Sequence, residues 1–250
     1  HVEITFVLSS RYQPGQTGND VFHSKNEMIG GAKIPLYLFA KAPVAGRVKT
    51  RMRPQISDRA CAALAAEMLY QSVDKVVKHW PGKLVLCVTP SHKDPNFVEI
   101  SKRYDCDVVE QIDAGLGDRM MHALDQGIRS AGAAAVMGCD VPQIPGMVLS
   151  EAGEHLQGGE NVIGPALDGG FYLLGLQAAR RELFEGIKWG EGAVLNGVLK
   201  RSEKIGMKFK LLETLRDIDR WADLKWLACI LTQYAKYVES GADASDVNIS

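Results

Sequence analysis

The feature that most limits the fold of this chain is the alternation, from residue 34 to 238, of short apolar runs with stretches of helical periodicity. The continuous apolar run at 34–40 (IPLYLFA) has the look of a strand buried on both faces, 83–89 (KLVLCVT) and 106–111 (CDVVEQ) read as further strands, and 133–138 (AAAVMG) as a small-residue buried strand. Between them lie segments with apolar residues at helical spacing. Leu64, Met68, Leu69, Val73, Val76 and Val77 follow Ser57, a preferred N-cap, and Met121, Leu124 and Ile128 share one side of a helix over 118–131. Pro95 opens a short helix, and Pro145 occupies the first turn of the next. Further strands are read at 161–166, 171–177 and 208–213, and helices at 192–201 and 221–238. Strands alternating with helices make βαβ units and a mostly parallel sheet. The connection 167–170 is too short for a parallel crossover, so one strand runs antiparallel and the sheet is mixed.

No linker, repeat or composition shift interrupts this pattern, so residues 34–240 read as a single α/β domain. Residues 1–33 read as a loop-like extension punctuated by Pro14, Gly15, Gly18, Gly30 and Gly31, and residues 241–250 as a frayed polar tail.

Composition excludes several classes of function. A net charge of −1 gives no electrostatic footprint for nucleic acid or an anionic membrane surface. No apolar stretch approaches the roughly 18 residues that span a bilayer. The opening residues lack a basic n-region and a cleavage site, so no export signal is expected. Cys61, Cys87, Cys106, Cys139 and Cys229 form no CxxC pair and indicate neither a disulfide framework nor a zinc site. A reducing, cytoplasmic setting is expected, and any anion recognition must be local.

One local cluster qualifies. The segment KAPVAGRVKTRM follows the first strand and brings Lys41, Arg47, Lys49, Arg51 and Arg53 together, with Gly46 permitting a tight turn. In open α/β sheets ligands bind beyond the carboxyl ends of strands, and the loop after the first strand is the usual phosphate contact. Arginine offers bidentate phosphate contacts and lysine a point charge. A solvated cationic loop is the plainer alternative. A Walker P-loop is excluded, because Val48 and Pro43 stand where that motif needs glycines.

The carboxylates complement this loop. Asp140 closes the strand at 133–138 and emerges at the same sheet edge, where a Mg²⁺ or Mn²⁺ ion bridging diphosphate oxygens needs one or two carboxylates. Capping the helix at Pro145 is the alternative role. Asp168-Gly169-Gly170 is either a hairpin turn or part of the site. Of Asp217 and Asp219, one is expected to reach the metal and the other to cap the last helix. Gly115-Leu116-Gly117-Asp118-Arg119 could hold a ribose, base or phosphate at a helix start. Trp189 is either a core anchor or a platform for a sugar or base.

As an ordered set, these motifs resemble the bacterial glycosyltransferase-A-like proteins of the DUF2064 type, also described as arsenosugar-biosynthesis glycosyltransferases. The resemblance covers about residues 34–228. It is carried by Lys41, Pro43, Gly46, Val48, Lys49, Thr50 and Arg51, and by Gln111, Leu116, Gly117, Arg119 and Met120. It continues through Gly138, Asp140 and Pro142, the run from Gly164 to Leu173 with Tyr172 inside it, then Trp189, Asp217 and Asp219. The chain departs from the pattern at Arg220-Trp221, where Thr-Pro is usual, and at Gly190, where Ser or Thr is usual.

The resemblance implies a three-layer α/β/α, Rossmann-like nucleotide-diphospho-sugar transferase fold with a mixed, mostly parallel sheet. It implies a metal-dependent glycosyl transfer from a nucleotide sugar to a small-molecule acceptor. Lys41, Gly46, Arg47, Lys49, Arg51, Gln111, Gly117 and Arg119 would then bind the nucleotide. Asp140, Asp217 and Asp219 would bind Mg²⁺ or Mn²⁺, Asp140 and Asp168 would serve the chemistry, and Gly169, Gly170, Tyr172 and Trp189 would face the acceptor. Nucleotidyl transfer of GMP or CMP from an NTP to a phosphorylated small molecule is the alternative reaction. A non-catalytic nucleotide-binding regulator is a third reading.

Overall fold

The computed structural model describes residues 33–190 and 192–239. The expectations for residues 1–32 and from 240 onward lie outside them.

Among the described residues, β1 (Pro35–Lys41), β2 (Lys83–Thr89), β3 (Asp107–Glu110), β4 (Ala134–Gly138), β5 (Asn161–Pro165), β6 (Phe171–Leu176) and β7 (Phe209–Leu211) form one sheet. Its order is β3-β2-β1-β4-β6-β5-β7. β1 pairs in parallel with both β2 and β4, and β2 with β3. β6 runs antiparallel to β4 and β5, while β5 and β7 are parallel. The antiparallel strand thus falls after the short 167–170 connection, as the length of that connection requires.

Period-two alternation along β1 feeds two cores. Leu36, Leu38 and Ala40 point into one, shared with α1 (Asp58–His79), α2 (Pro95–Tyr104) and α4 (Gly146–Gln157). Tyr37 and Phe39 point into the other, shared with α3 (Leu116–Ala131) and α5 (Val194–Lys204). Helices on both faces of a mixed sheet make the three-layer α/β/α sandwich. Leu36, Leu38 and Leu86 are fully buried, and each such side chain contributes roughly 1.5–3 kcal/mol. A third cluster joins Met52, Cys61, Leu64, Met68 and Ile218 to Leu224 and Leu227 of α6 (Trp221–Glu239). It fixes the amino-terminal half of α1 against the last helix.

Ser57 caps α1, its Oγ accepting the Ala60 N–H at 3.2 Å. Three local expectations are corrected. Val77 is 46% exposed and lies at the edge of the stripe that Leu69, Val73 and Val76 carry. Pro145 is the N-cap of α4 rather than its first-turn residue, because its ψ of 139° is extended. The last strand is shorter than 208–213, keeping only the three residues that ladder with β5.

Candidate functional site

The chain runs outward from β1 to β2 and β3, then returns to β4 on the other side of β1, so a crevice opens where the two directions part. β1, β4, β5 and β7 all point the same way. Four segments therefore meet at one sheet edge: the loop after β1, the residues after β4, the β5–β6 turn and the segment after β7. A cavity of about 510 Å³ opens among them, with Phe39, Met68, Leu69, Met120, Val136 and Phe171 in its apolar wall. Lys41, Arg47, Lys49, Asp140 and Asp219 give it a charged mouth.

The loop after β1 is closed on itself. The Arg47 N–H bonds to the Val44 carbonyl at 2.9 Å, and Gly46 turns the chain with φ of 80°. Arg53 pairs with Asp58 at 2.8 Å and donates to the Gly46 carbonyl. Arg53 is thereby a clasp of the loop rather than a free cation at the crevice. Lys49 adopts a left-handed conformation, φ 46° and ψ 35°, just before a 3₁₀ turn at Thr50–Met52. For a residue with a Cβ this costs about 1–2 kcal/mol. The Cys61 thiol supports the conformation by donating to the Lys49 carbonyl at 3.4 Å.

The conformation turns the lysine inward. Its Nζ donates to Asp140 Oδ1 and to the Ile218 carbonyl, both at 2.6 Å. The lysine side chain is 7% exposed and that of Asp140 60%. Hydrogen bonds to a charged group contribute about 1.5–3 kcal/mol each, which offsets the backbone strain. Beside it, Arg51 donates to Asp219 Oδ2 at 2.6 Å. Lys49 and Arg51 thus each hold one carboxylate of the site.

The acidic residues arrive from separate segments. Asp140 is joined to the segment after β7 by the Ile218 N–H, which bonds to its backbone carbonyl at 2.8 Å. It does not cap α4, whose N-cap is Pro145 with no side-chain bond. Nor does Asp217 or Asp219 cap α6. That role belongs to Asp223, whose Oδ2 accepts the Arg220 N–H at 2.8 Å and the Asp219 N–H at 3.3 Å, while Oδ1 accepts from Arg216 at 3.2 Å. A carboxylate three residues past the cap reaching back in this way is half of a capping box.

Asp217 is half-buried, and burial pushes its carboxyl above the usual carboxylate range, with Asp168, then Asp223 and Asp140, adding to the rise. Asp168 and Asp140 are thus each within electrostatic reach of Asp217. Among the described residues no three His, Cys, Asp or Glu side chains converge into a metal-holding group. Asp168 Oδ1 accepts the Gly170 N–H at 2.8 Å, an Asx turn. Gly169 has φ of 87°, and a Cβ there would stand 2.0 Å from the Gly192 carbonyl oxygen. The Leu195 N–H bonds to the Gly169 carbonyl at 2.9 Å, tying this turn to the start of α5.

Other expected residues hold the walls. Gln111 donates to the Cys87 carbonyl at 2.9 Å and accepts from Arg119 at 3.3 Å, and Arg119 also donates to the Ala114 carbonyl at 2.6 Å. Both brace the loop before α3. The Tyr172 hydroxyl donates to the Glu213 carbonyl at 2.9 Å, and burial raises its pKa. Trp189 meets Phe184 and Phe171 edge-on, with centroids 5.6 and 6.4 Å apart. Its indole lies against Gly117, where a Cβ would approach to 2.8 Å. Both line a smaller hollow of about 260 Å³ with Asp118 and Arg181, beyond the Phe171 wall. Two contributors were not read from the sequence: the Ile218 carbonyl, which has no side-chain signal, and Asp223, whose signal was its place in the first turn of α6.

Comparison with solved structures places this architecture. A crystal structure from Desulfovibrio desulfuricans G20, provisionally named a nucleotide-diphospho-sugar transferase, matches with a TM-score of 0.71 and 27% identity over 78% of this chain and 86% of its own. A nucleotidyl transferase from Methanothermobacter matches with a TM-score of 0.53 and 17% identity over 82% of this chain and 100% of its own. No functionally curated protein matches the chain.

The mixed sheet with its crevice beside β1 and β4 therefore defines the class, the α/β fold shared by nucleotide-diphospho-sugar transferases and nucleotidyl transferases. Residues 72–191 match the model of DUF2064, described as an uncharacterized protein conserved in bacteria. Among the described residues no helix is long and apolar enough to cross a membrane.

Proposed function

We propose that this protein is a metal-dependent transferase that moves a glycosyl group from a nucleotide-diphospho-sugar to a small-molecule acceptor. One observation carries the reading. At the carboxyl edge of the sheet, a buried lysine, a flanking arginine and two carboxylates from segments far apart in sequence meet at the mouth of a cavity of about 510 Å³. The apolar wall suits the flat faces of a base, and the charged mouth suits a diphosphate.

Lys41, Arg47, Lys49 and Arg51 would bind the diphosphate. Asp140 and Asp219, with Asp217 beside them, would hold Mg²⁺ or Mn²⁺, ions that take one or two carboxylates and keep several waters. The donor set fits in kind, since it is all oxygen and Asp140 and Asp219 supply the two carboxylates such ions take at the mouth of one cavity. Bound there, such an ion would neutralise charge on the departing nucleoside diphosphate. Asp168 would accept the proton of the acceptor hydroxyl. Gly169 and Gly170 shape its turn, and Tyr172 in the cavity wall and Trp189 in the smaller hollow would meet the acceptor.

Nucleotidyl transfer is the second reading, favoured by the fold shared with the Methanothermobacter enzyme. The two separate on products. With Mn²⁺ and a panel of nucleotide sugars and NTPs, nucleoside diphosphate release from a nucleotide sugar is expected. Pyrophosphate release from an NTP, with nucleotide sugars untouched, would transfer the assignment to the second reading.

A further inference from the structure

The two ion pairs at the mouth of the cavity have a consequence for how ligands enter, which rests on the proposed diphosphate and metal site. Lys49 is held by Asp140 and Arg51 by Asp219, each at 2.6 Å. The cations that would grip a diphosphate are therefore already paired with the carboxylates that would grip a metal. A diphosphate that draws Lys49 and Arg51 away leaves Asp140 and Asp219 unpaired, beside Asp217, which makes no ion pair with a described cation. A metal that takes the carboxylates leaves two cations unpaired beside a dication. Each ligand alone breaks pairs that the other would replace.

We infer that Lys49–Asp140 and Arg51–Asp219 form a double lock that exchanges partners, so that diphosphate and divalent cation bind with strong positive coupling. The two pairs differ in role. Lys49 is anchored additionally by the Ile218 carbonyl and is buried, so it shifts its contacts within a fixed position. Arg51 is more than half exposed and touches only Asp219 among the described carboxylates, so it is the arm that swings. Asp219 is accordingly the residue that makes diphosphate binding depend on the metal.

The test uses inorganic pyrophosphate as probe, by calorimetry on the full chain with and without saturating Mg²⁺. Wild-type protein is expected to bind pyrophosphate at least about tenfold more tightly with the ion, within the usual span of coupled sites. Because Mg²⁺ also complexes pyrophosphate in solution, variants decide the cause. Asp219→Asn frees Arg51 and should strengthen metal-free binding by about fivefold while the metal effect shrinks to about twofold. Asp217→Asn removes an equal charge without freeing a cation, and should change metal-free binding by less than about twofold. Arg51→Gln, on a side chain more than half exposed, should weaken pyrophosphate binding about tenfold more with Mg²⁺ than without it. Equal gains from Asp219→Asn and Asp217→Asn would reduce the effect to general charge neutralisation and overturn the lock. So would a loss from Arg51→Gln that is the same with and without the ion. If pyrophosphate binds under neither condition, the phosphate assignment of the loop falls and the lock with it.

Discussion

The basic loop after β1 and the acidic segment after β7 face each other across one crevice, yet they are held in opposite ways. The loop is fastened from within, by the Arg53 clasp and the left-handed turn at Lys49. The acidic segment has little internal structure and is held from outside. Asp223 takes its N–H groups, Ile218 bonds to Asp140, and Arg216 lies over Trp226 at 5.0 Å. A self-fastened loop keeps its turn by itself, although Lys49 and Arg51 take their partners from across the crevice. An externally held segment keeps its charges in place only while α6 and β4 are in position. The difference locates where each half of the site can be broken.

The largest effects are expected at Lys49, which joins the loop to the acidic segment through the Ile218 carbonyl, and at its partner Asp140. Lys49→Met and Asp140→Asn should each lower turnover by about 10²–10³-fold in the transferase assay, the scale seen when a preorganised charge is removed from an active site. If Asp140→Asn keeps wild-type turnover, Asp140 is not part of the chemistry. Next comes Gly169→Ala, which meets both the positive φ and the Gly192 carbonyl at 2.0 Å. It should cost about 2–3 kcal/mol in urea unfolding, and an unchanged midpoint would mean that the turn can relax.

Asp223→Ala tests the externally held region alone. Loss of a helix-start acceptor costs about 1 kcal/mol, and transfer should fall more than that stability loss accounts for, because Asp217 and Asp219 lose their anchor. Arg53→Ala is the matching test of the self-fastened loop, and a smaller effect is expected from an exposed pair of about 0.2–1 kcal/mol.

The smallest effect concerns the thiols. Burial pushes the Cys87 thiol up to about 12 and raises Cys61, Cys106 and Cys139 as well, while Cys229 is exposed. At pH 8 iodoacetamide should label Cys229 alone until the protein unfolds, since the thiolate is the reactive species. Folded thiols with raised pKa lose their protons after the unfolded ones. Stability therefore falls as pH rises from the ordinary thiol range near 8.5 toward 12. A Tm that is flat across that window would contradict the burial of these thiols.

The strands and helices were legible because burial on two faces writes continuous apolar runs and helical stripes directly into the chain. The antiparallel strand followed from the length of one connection, and the candidate phosphate loop from charge density after a central strand. The sequence by itself thus determined the layers of the sandwich, the edge where charge gathers and the residue types available there. It did not determine their pairing. That Lys49 meets Asp140 and the Ile218 carbonyl, and that Arg51 meets Asp219, depends on distances between segments 91, 169 and 168 positions apart. Only the tertiary structure decided those, because a side chain's charge is a local property of the sequence whereas its partner is whatever the packed sheet brings within a few ångströms.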